Sequence, residues 1–118
     1  MTLDEYQQAA LTTAIYPGAG RGTPPALTYC GLKLNGEAGE FAEHLGKALR
    51  DDGWGYRVPS LTIDRHAKLI KELGDVLWYV AAAAHELGLD LSTVAQANID
   101  KLASRAERGQ LQGSGDDR

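Results

Sequence analysis

The chain has 118 residues, a mass of 12.7 kDa, and 12 lysines and arginines against 16 aspartates and glutamates. That length suits one domain, and a formal charge of −4 with a pI near 5.3 argues against binding polymeric nucleic acid by bulk attraction to phosphate. A single cysteine, Cys30, excludes an internal disulfide framework and a cysteine-ligated zinc site.

Four helices are predicted, with no alternating β-branched run long enough for a sheet, so the expected class is all-α. The first runs from about Leu3 to Ile15, opened by the capping-box spacing Thr2-x-x-Glu5 and stopped by Pro17-Gly18. A Gly- and Pro-rich loop follows, and Pro24 or Pro25 suits the first turn of the next helix. That second helix covers about Ala26 to Arg50, with Leu27, Cys30, Leu34, Ala38, Phe41, Leu45, Ala48 and Leu49 stepping by three and four. Asp51-Asp52-Gly53 stops it. A connection through Trp54, Tyr56 and Pro59 leads to Ser60, a candidate N-cap for a third helix reaching about Leu87. The stretch from Leu69 to Ala84 is apolar around most of its circumference, which predicts a central position. Gly88 is the expected C-cap, and Asp90 the N-cap of a fourth helix from about Leu91 to Glu107. The division is thus an N-terminal helix and loop (1–25), core helices (26–108) and a tail (109–118) that either frays or folds over a partner or phosphate.

The longest unbroken apolar run, Val76 to Ala84, is too short for a bilayer span. The opening Met1-Thr-Leu-Asp-Glu-Tyr6 has neither the basic flank nor the apolar stretch of a secretory signal. The expectation is a cytoplasmic protein with no membrane partner. Gly18-Ala-Gly-Arg-Gly-Thr23 lacks the spacing and preceding strand of a P-loop.

Two acidic pairs stand out. Glu37-x-x-Glu40 lies in the second helix and Glu72-x-x-Asp75 in the third, and residues three apart share a helix face. Both pairs are embedded in apolar sequence, where like charges are costly unless a cation compensates. Antiparallel packing of the two helices would bring the four groups together. Four hard oxygen donors without a well-placed cysteine or histidine suit Mg²⁺, with Mn²⁺ as a substitute. Either pair alone would read as an ordinary solvated face. A di-iron bundle needs Glu-x-x-His, whereas the histidine after Glu40 is His44, at i+4. His66 and His85 carry no motif, and Glu43 is rotated away from Glu37.

The run Leu34-Asn-Gly-Glu-Ala-Gly-Glu-Phe-Ala-Glu43, followed by Lys71-Glu-Leu-Gly-Asp-Val-Leu-Trp-Tyr79, resembles the MazG-type nucleotide pyrophosphohydrolases. These belong to the all-α NTP pyrophosphatase superfamily, which also holds dimeric dUTPases. The likeness continues through Gly88-Leu-Asp-Leu-Ser92 and Asn98-x-x-Lys101-Leu-x-x-Arg105, covering roughly residues 26 to 108. The resemblance implies that Glu37, Glu40, Glu72 and Asp75 bind Mg²⁺, and that a nucleoside triphosphate and water give the monophosphate and pyrophosphate. Glu37 or Glu40 would be the catalytic base. Relatives often carry an acid where this chain has Gly36, which leaves the number of metal ions open.

Lys101, Arg105 and Arg108 form one basic stripe that could grip phosphate or merely complement the helix dipole. The resemblance assigns Asn98, Lys101 and Arg105 to the substrate. Tyr79, one turn beyond Asp75, could stack on a base or pack in the core. Lys33 and Lys47 flank the first acidic pair, with surface positions the default.

A unit this small offers the third helix too little cover, so the expectation is a four-helix bundle-like protomer assembling as a homodimer or homotetramer. The resulting reading is an Mg²⁺-dependent nucleoside triphosphate pyrophosphohydrolase serving nucleotide-pool control. Its competitor is a metal-dependent nucleotide-binding module without turnover.

Overall fold

A computed structural model describes residues 1–118 and contains four helices and no strand: α1 (Leu3–Leu11), α2 (Pro24–Arg50), α3 (Ile63–Glu86) and α4 (Leu91–Glu107). No helix is long and apolar enough to cross a membrane.

The hub is α3, which meets α1, α2 and α4, as its all-round apolar middle predicts. Cys30 packs near Ala82, Lys33 sits over Tyr79, His44 faces Glu72 and Asp52 meets Arg65. This descending register makes α2 and α3 an antiparallel pair. However, α2 lies alongside α3 only, so the four helices do not close around one core. Buried apolar residues cluster in two small groups, Tyr16, Ala26, Cys30 and Ala82 on one side, and Ala81, Ala84 and Leu91 on the other, with Ala48 and Leu69 buried outside them. Alanines dominate because α3 must approach its neighbours closely.

Element boundaries follow local chemistry. At α1 the predicted capping box is present, with Glu5 N–H donating to Thr2 Oγ1 at 3.1 Å and Thr2 N–H to Glu5 Oε2 at 2.6 Å. The helix ends at Leu11, four residues before the expected Ile15. Thr12 and Thr13 donate their hydroxyls to Ala9 O and Ala10 O at 2.6 and 2.8 Å, and such back-bonding competes with helix continuation. Pro24 opens α2 beneath an N-cap at Thr23. The N-cap of α3 is Thr62 and not Ser60, since Thr62 Oγ1 accepts from Arg65 N–H at 3.1 Å.

Asp90 occupies the N-cap position of α4 but makes no side-chain cap bond. Side chains of α1 do that work instead. Leu91 N–H donates to Gln7 Oε1 at 3.0 Å, and Ser92 N–H to Asp4 Oδ1 at 2.8 Å. The buried Gln7 amide also donates to Ala81 O and Leu89 O, both at 3.1 Å. One side chain thereby ties the last turns of α3 and the connection after it to the start of α4, where the Leu91 N–H has no intrahelical partner. The Ser92 hydroxyl and N–H hold the Asp4 carboxyl below its ordinary value.

The glycine loop between α1 and α2 folds around an internal anion. Glu86, buried at the end of α3, accepts from the Tyr16 hydroxyl at 2.5 Å, Gly20 N–H at 2.6 Å and Gly22 N–H at 2.7 Å. Gly20 and Gly22 have φ of +79° and +63°, the left-handed region, and both their N–H groups point inward, while the Arg21 N–H between them donates to Gly18 O. The loop is therefore an anion nest already filled by the chain's own carboxylate.

The tail folds back on α4. Asp116 lies between Lys101 Nζ and Arg105 Nη2, each 3.4 Å from its Oδ1, and Arg105 also donates to Asp116 O at 2.6 Å.

Candidate functional site

The antiparallel register of α2 and α3 places Glu37, Glu40 and Glu72 so that one carboxylate oxygen from each lies within 4.8 Å of the others. Glu37 and Glu40 are one turn apart on α2, and Glu72 faces them from α3. Glu40 is exposed, and no cation pairs with it. Glu37 is half-buried with Lys33 Nζ 3.4 Å away. Glu72 is the most constrained of the three. Its Oε1 lies 3.4 Å from His44 Nε2, while its Oε2 is buried with no hydrogen-bond partner.

A buried carboxylate oxygen without a donor costs about 1–3 kcal/mol, so a native chain that keeps one has a use for it. Three hard oxygen donors, one of them on a carboxylate that also has an orphaned buried oxygen, fit a divalent cation of the Mg²⁺ or Mn²⁺ kind. No cysteine shares the cluster, which fits poorly with soft-metal chemistry. Asp75, the fourth expected carboxylate, stands outside the 4.8 Å group. It is exposed and lines the adjoining cavity together with Glu37.

That cavity has a volume of about 610 Å³, within the usual range for a small-molecule site. Its walls are flat and aromatic, formed by Tyr16, Tyr29, Trp78 and Tyr79, and its acidic edge is Glu37 and Asp75. Tyr16 and Tyr29 stack with ring centres 5.5 Å apart, and Trp78 meets Tyr79 edge-on at 4.8 Å. Trp78 is fixed by its indole N–H, shared between Ala10 O and Thr13 Oγ1 at 3.1 Å each. Lys33 sits over the Tyr79 ring, 5.9 Å from its centre, so the mouth carries one cation beside the acids. Burial pushes the Tyr79 hydroxyl above its ordinary value, with Tyr29 and Glu37 adding to the rise and Lys33 opposing it.

The expected substrate residues divide into two groups. Tyr79 lines the cavity, whereas Asn98, Lys101 and Arg105 do not. Asn98 borders a separate apolar groove with Leu3, Leu77, Val80, Leu91 and Val94. Lys101 and Arg105 are engaged by Asp116, whose carboxyl they hold below the ordinary range through the Lys101 charge and hydrogen bonds from both. Sequence reading missed the contribution of Thr13, Ile15, Tyr16 and Pro17, because the loop reaches the cavity only through the Glu86 clamp. It also set His44 aside. The signal available was its spacing, since seven residues from Glu37 and four from Glu40 place it on the same face of α2.

Comparison with known proteins adds an independent finding. Residues 28–109 match the family described as MazG nucleotide pyrophosphohydrolase domain. The chain is 50% identical over 120 residues to the "Gene 37 protein" of Mycobacterium phage L5, with the alignment covering 100% of each. No solved structure matches. Since the match takes in all three clustered glutamates and the greater part of the chain, the protein belongs to the MazG nucleotide pyrophosphohydrolase family.

Proposed function

We propose that this protein hydrolyses nucleoside triphosphates, ribo- or deoxyribo-, to the monophosphate and pyrophosphate with Mg²⁺ or Mn²⁺, as a cytoplasmic activity in nucleotide-pool control. The observation that carries the reading is the convergence of Glu37, Glu40 and Glu72, with the Glu72 Oε2 orphaned, beside an aromatic-walled cavity. Aromatic walls suit a base, and the adjoining acids suit a cation bound to phosphate.

In this reading Glu37, Glu40 and Glu72 hold the cation, and Asp75 joins them from the cavity edge. The cation, when bound, supplies charge neutralisation of the triphosphate and polarisation of the phosphoryl group. Glu40 is exposed and pairs with no cation, so it is the better-placed base. Water attacks the α-phosphorus, its proton passes to Glu40, and the bond from the α-phosphorus to the α–β bridging oxygen breaks as pyrophosphate leaves. Glu37 is the alternative base, but Lys33 Nζ lies 3.4 Å from its Oε1 and competes for an oxygen that would take the proton. Lys33 itself is in position to meet phosphate oxygens. Tyr79 and Tyr29 offer the base a stacking surface. The wall built by residues 13–17 lies outside the family-matched segment and is the natural seat of base selectivity.

Homo-oligomerisation is part of the same proposal. Large apolar side chains on α3 and α4 face solvent in the protomer, among them Ile70 (57% exposed), Leu73 (51%) and Ile99 (59%). Covering such surface is worth about 25 cal/mol per Å². Assembly also gives Asn98, Lys101 and Arg105 a route to the triphosphate, from a neighbouring copy with Asp116 displaced.

The test is pyrophosphate release from the eight standard NTPs and dNTPs plus dUTP and ITP, with Mg²⁺ and with chelator. Release is expected with Mg²⁺ alone. Glu40→Gln is expected to lower it on the order of 10²–10⁴-fold, the usual contribution of a positioned base. Metal-dependent nucleotide binding without turnover would replace the hydrolase reading by that of a binding module.

A further inference from the structure

A chain of polar contacts leads from the α2–α3 connection to the carboxylate cluster. Asp52, just past the end of α2, accepts from Arg65 through both oxygens, at 2.9 Å from Nε and 3.3 Å from Nη2. Arg65 Nη1 lies 3.0 Å from His44 Nδ1. His44 Nε2 in turn lies 3.4 Å from Glu72 Oε1. All four side chains are largely withdrawn from water, between 11% and 21% exposed, where such contacts are less screened than at the surface.

The direction of each contact is fixed by chemistry. A guanidinium has only donors, so Nδ1 of His44 must be the acceptor. The ring proton then resides on Nε2, the nitrogen that faces Glu72. Oε1 of Glu72 is thereby the oxygen nearer that N–H, in a long 3.4 Å contact, and Oε2 is the buried oxygen with no hydrogen-bond partner. The two oxygens thus differ in their surroundings, one facing His44 and the other buried without a partner.

We infer that Arg65 and His44 are positioning residues that fix the rotation of Glu72 and commit its Oε2 to the cation. The inference rests on the metal reading of the cluster. An α2–α3 staple with no bearing on the site would explain the Asp52–Arg65 pair alone. It would not explain why the chain continues through a histidine to the one carboxylate with an orphaned oxygen.

Two measurements test this on the full chain without nucleotide. Long-range ¹H–¹⁵N NMR of the metal-free wild type reads the His44 tautomer, with His44→Gln supplying the assignment. The Nε2–H form is expected, and Arg65→Gln should relax it to a mixture. Calorimetric titration with Mn²⁺ reads the cluster. His44→Ala is expected to weaken Mn²⁺ about 10–100-fold, the usual effect of losing a group that orients a ligand. His44→Gln, whose amide offers Glu72 an N–H, should recover part of the loss.

A wild-type Nδ1–H tautomer would overturn the inference whether or not the variants fold. So would Mn²⁺ affinity unchanged in folded His44→Ala and Arg65→Gln. A wild type that binds Mn²⁺ with the expected His44 dependence yet hydrolyses no nucleotide overturns the hydrolase reading and upholds this one. A wild type that binds no Mn²⁺ overturns both.

Discussion

Replacing Glu72 by leucine should make the metal-free protein more stable and the metal-loaded protein inactive. The substitution removes a buried oxygen with no partner and one of three like charges gathered within 4.8 Å. Two unit charges at that range repel by roughly 3 kcal/mol at an effective dielectric near 20, and water reaching the exposed Glu40 screens part of this. Against the gain stands the His44 Nε2–H, which loses a long contact. A net stabilisation of about 1–2 kcal/mol is expected. Saturating Mg²⁺ should reverse the order, because a ligand at about 100 times its Kd stabilises the wild type by ~2.7 kcal/mol and the variant gains little. Thermal melts of both proteins, with and without Mg²⁺, check the crossing. Hydrolysis should fall on the order of 10²–10³-fold, corresponding to several kcal/mol of lost metal-assisted stabilisation. A variant less stable than wild type in chelator would mean that Glu72 serves the fold.

Glu86→Ala should be among the most damaging single changes outside the carboxylate cluster. It leaves the Tyr16 hydroxyl and the N–H groups of Gly20 and Gly22 without their common acceptor. Hydrogen bonds to a charged group are worth about 1.5–3 kcal/mol each and do not simply add, so a loss of about 3 kcal/mol is expected. For a chain of this length that lowers Tm by roughly 10 °C. The loop carrying Ile15, Tyr16 and Pro17 loses its anchor, so KM for nucleotide should rise more than kcat falls.

The pH dependence follows from the same contacts. Burial pushes the Glu86 carboxyl up, but the Tyr16 hydroxyl and the two glycine N–H groups, with His85 nearby, outweigh it and hold the group below its ordinary value. A carboxyl lowered in the folded state stabilises fully above its unfolded pKa, ~4.3, and loses that contribution as the pH falls through the lowered value. The stability gap between wild type and Glu86→Ala should therefore be constant near neutrality and shrink below about pH 4. Burial and the Glu86 hydrogen bond raise the Tyr16 hydroxyl far above its usual range, so it remains a donor throughout. A gap that persists undiminished into strong acid would show that Glu86 acts through packing and not through its charge.

Local chemistry made most of the helical architecture readable. Periodicity in 26–50 and 63–86, a proline at the start of α2 and a glycine after α3 all mark real boundaries. The misread end of α1 shows the limit of that reading. Tyr6, Ala9, Ala10 and Thr13 keep helical spacing, but two consecutive threonine hydroxyls turn back on the carbonyls and stop the helix early. Spacing singled out Glu37, Glu40, Glu72 and Asp75 as a set, because carboxylates embedded in apolar stretches of adjacent helices have few other uses; the structure gathers the first three and leaves Asp75 at the cavity edge.

What depends on long-range partners was not legible. Glu86 reads as an ordinary helix-end acid until the glycine loop closes on it. His44 reads as a failed iron ligand until Arg65, twenty-one residues on, fixes its proton. Asp90 looks like the cap of α4, while the groups that cap it, Gln7 and Asp4, lie more than eighty residues away. Lys101 and Arg105 keep their periodicity on α4, yet they hold the tail's Asp116.

The most direct test of the account is product identification by ³¹P NMR after incubating the wild-type protein and one nucleoside triphosphate with Mg²⁺, against a chelated control. Nucleoside monophosphate and inorganic pyrophosphate are expected in equal amounts, with no reaction under chelation. Nucleoside diphosphate with inorganic phosphate, or turnover that ignores the chelator, would contradict it.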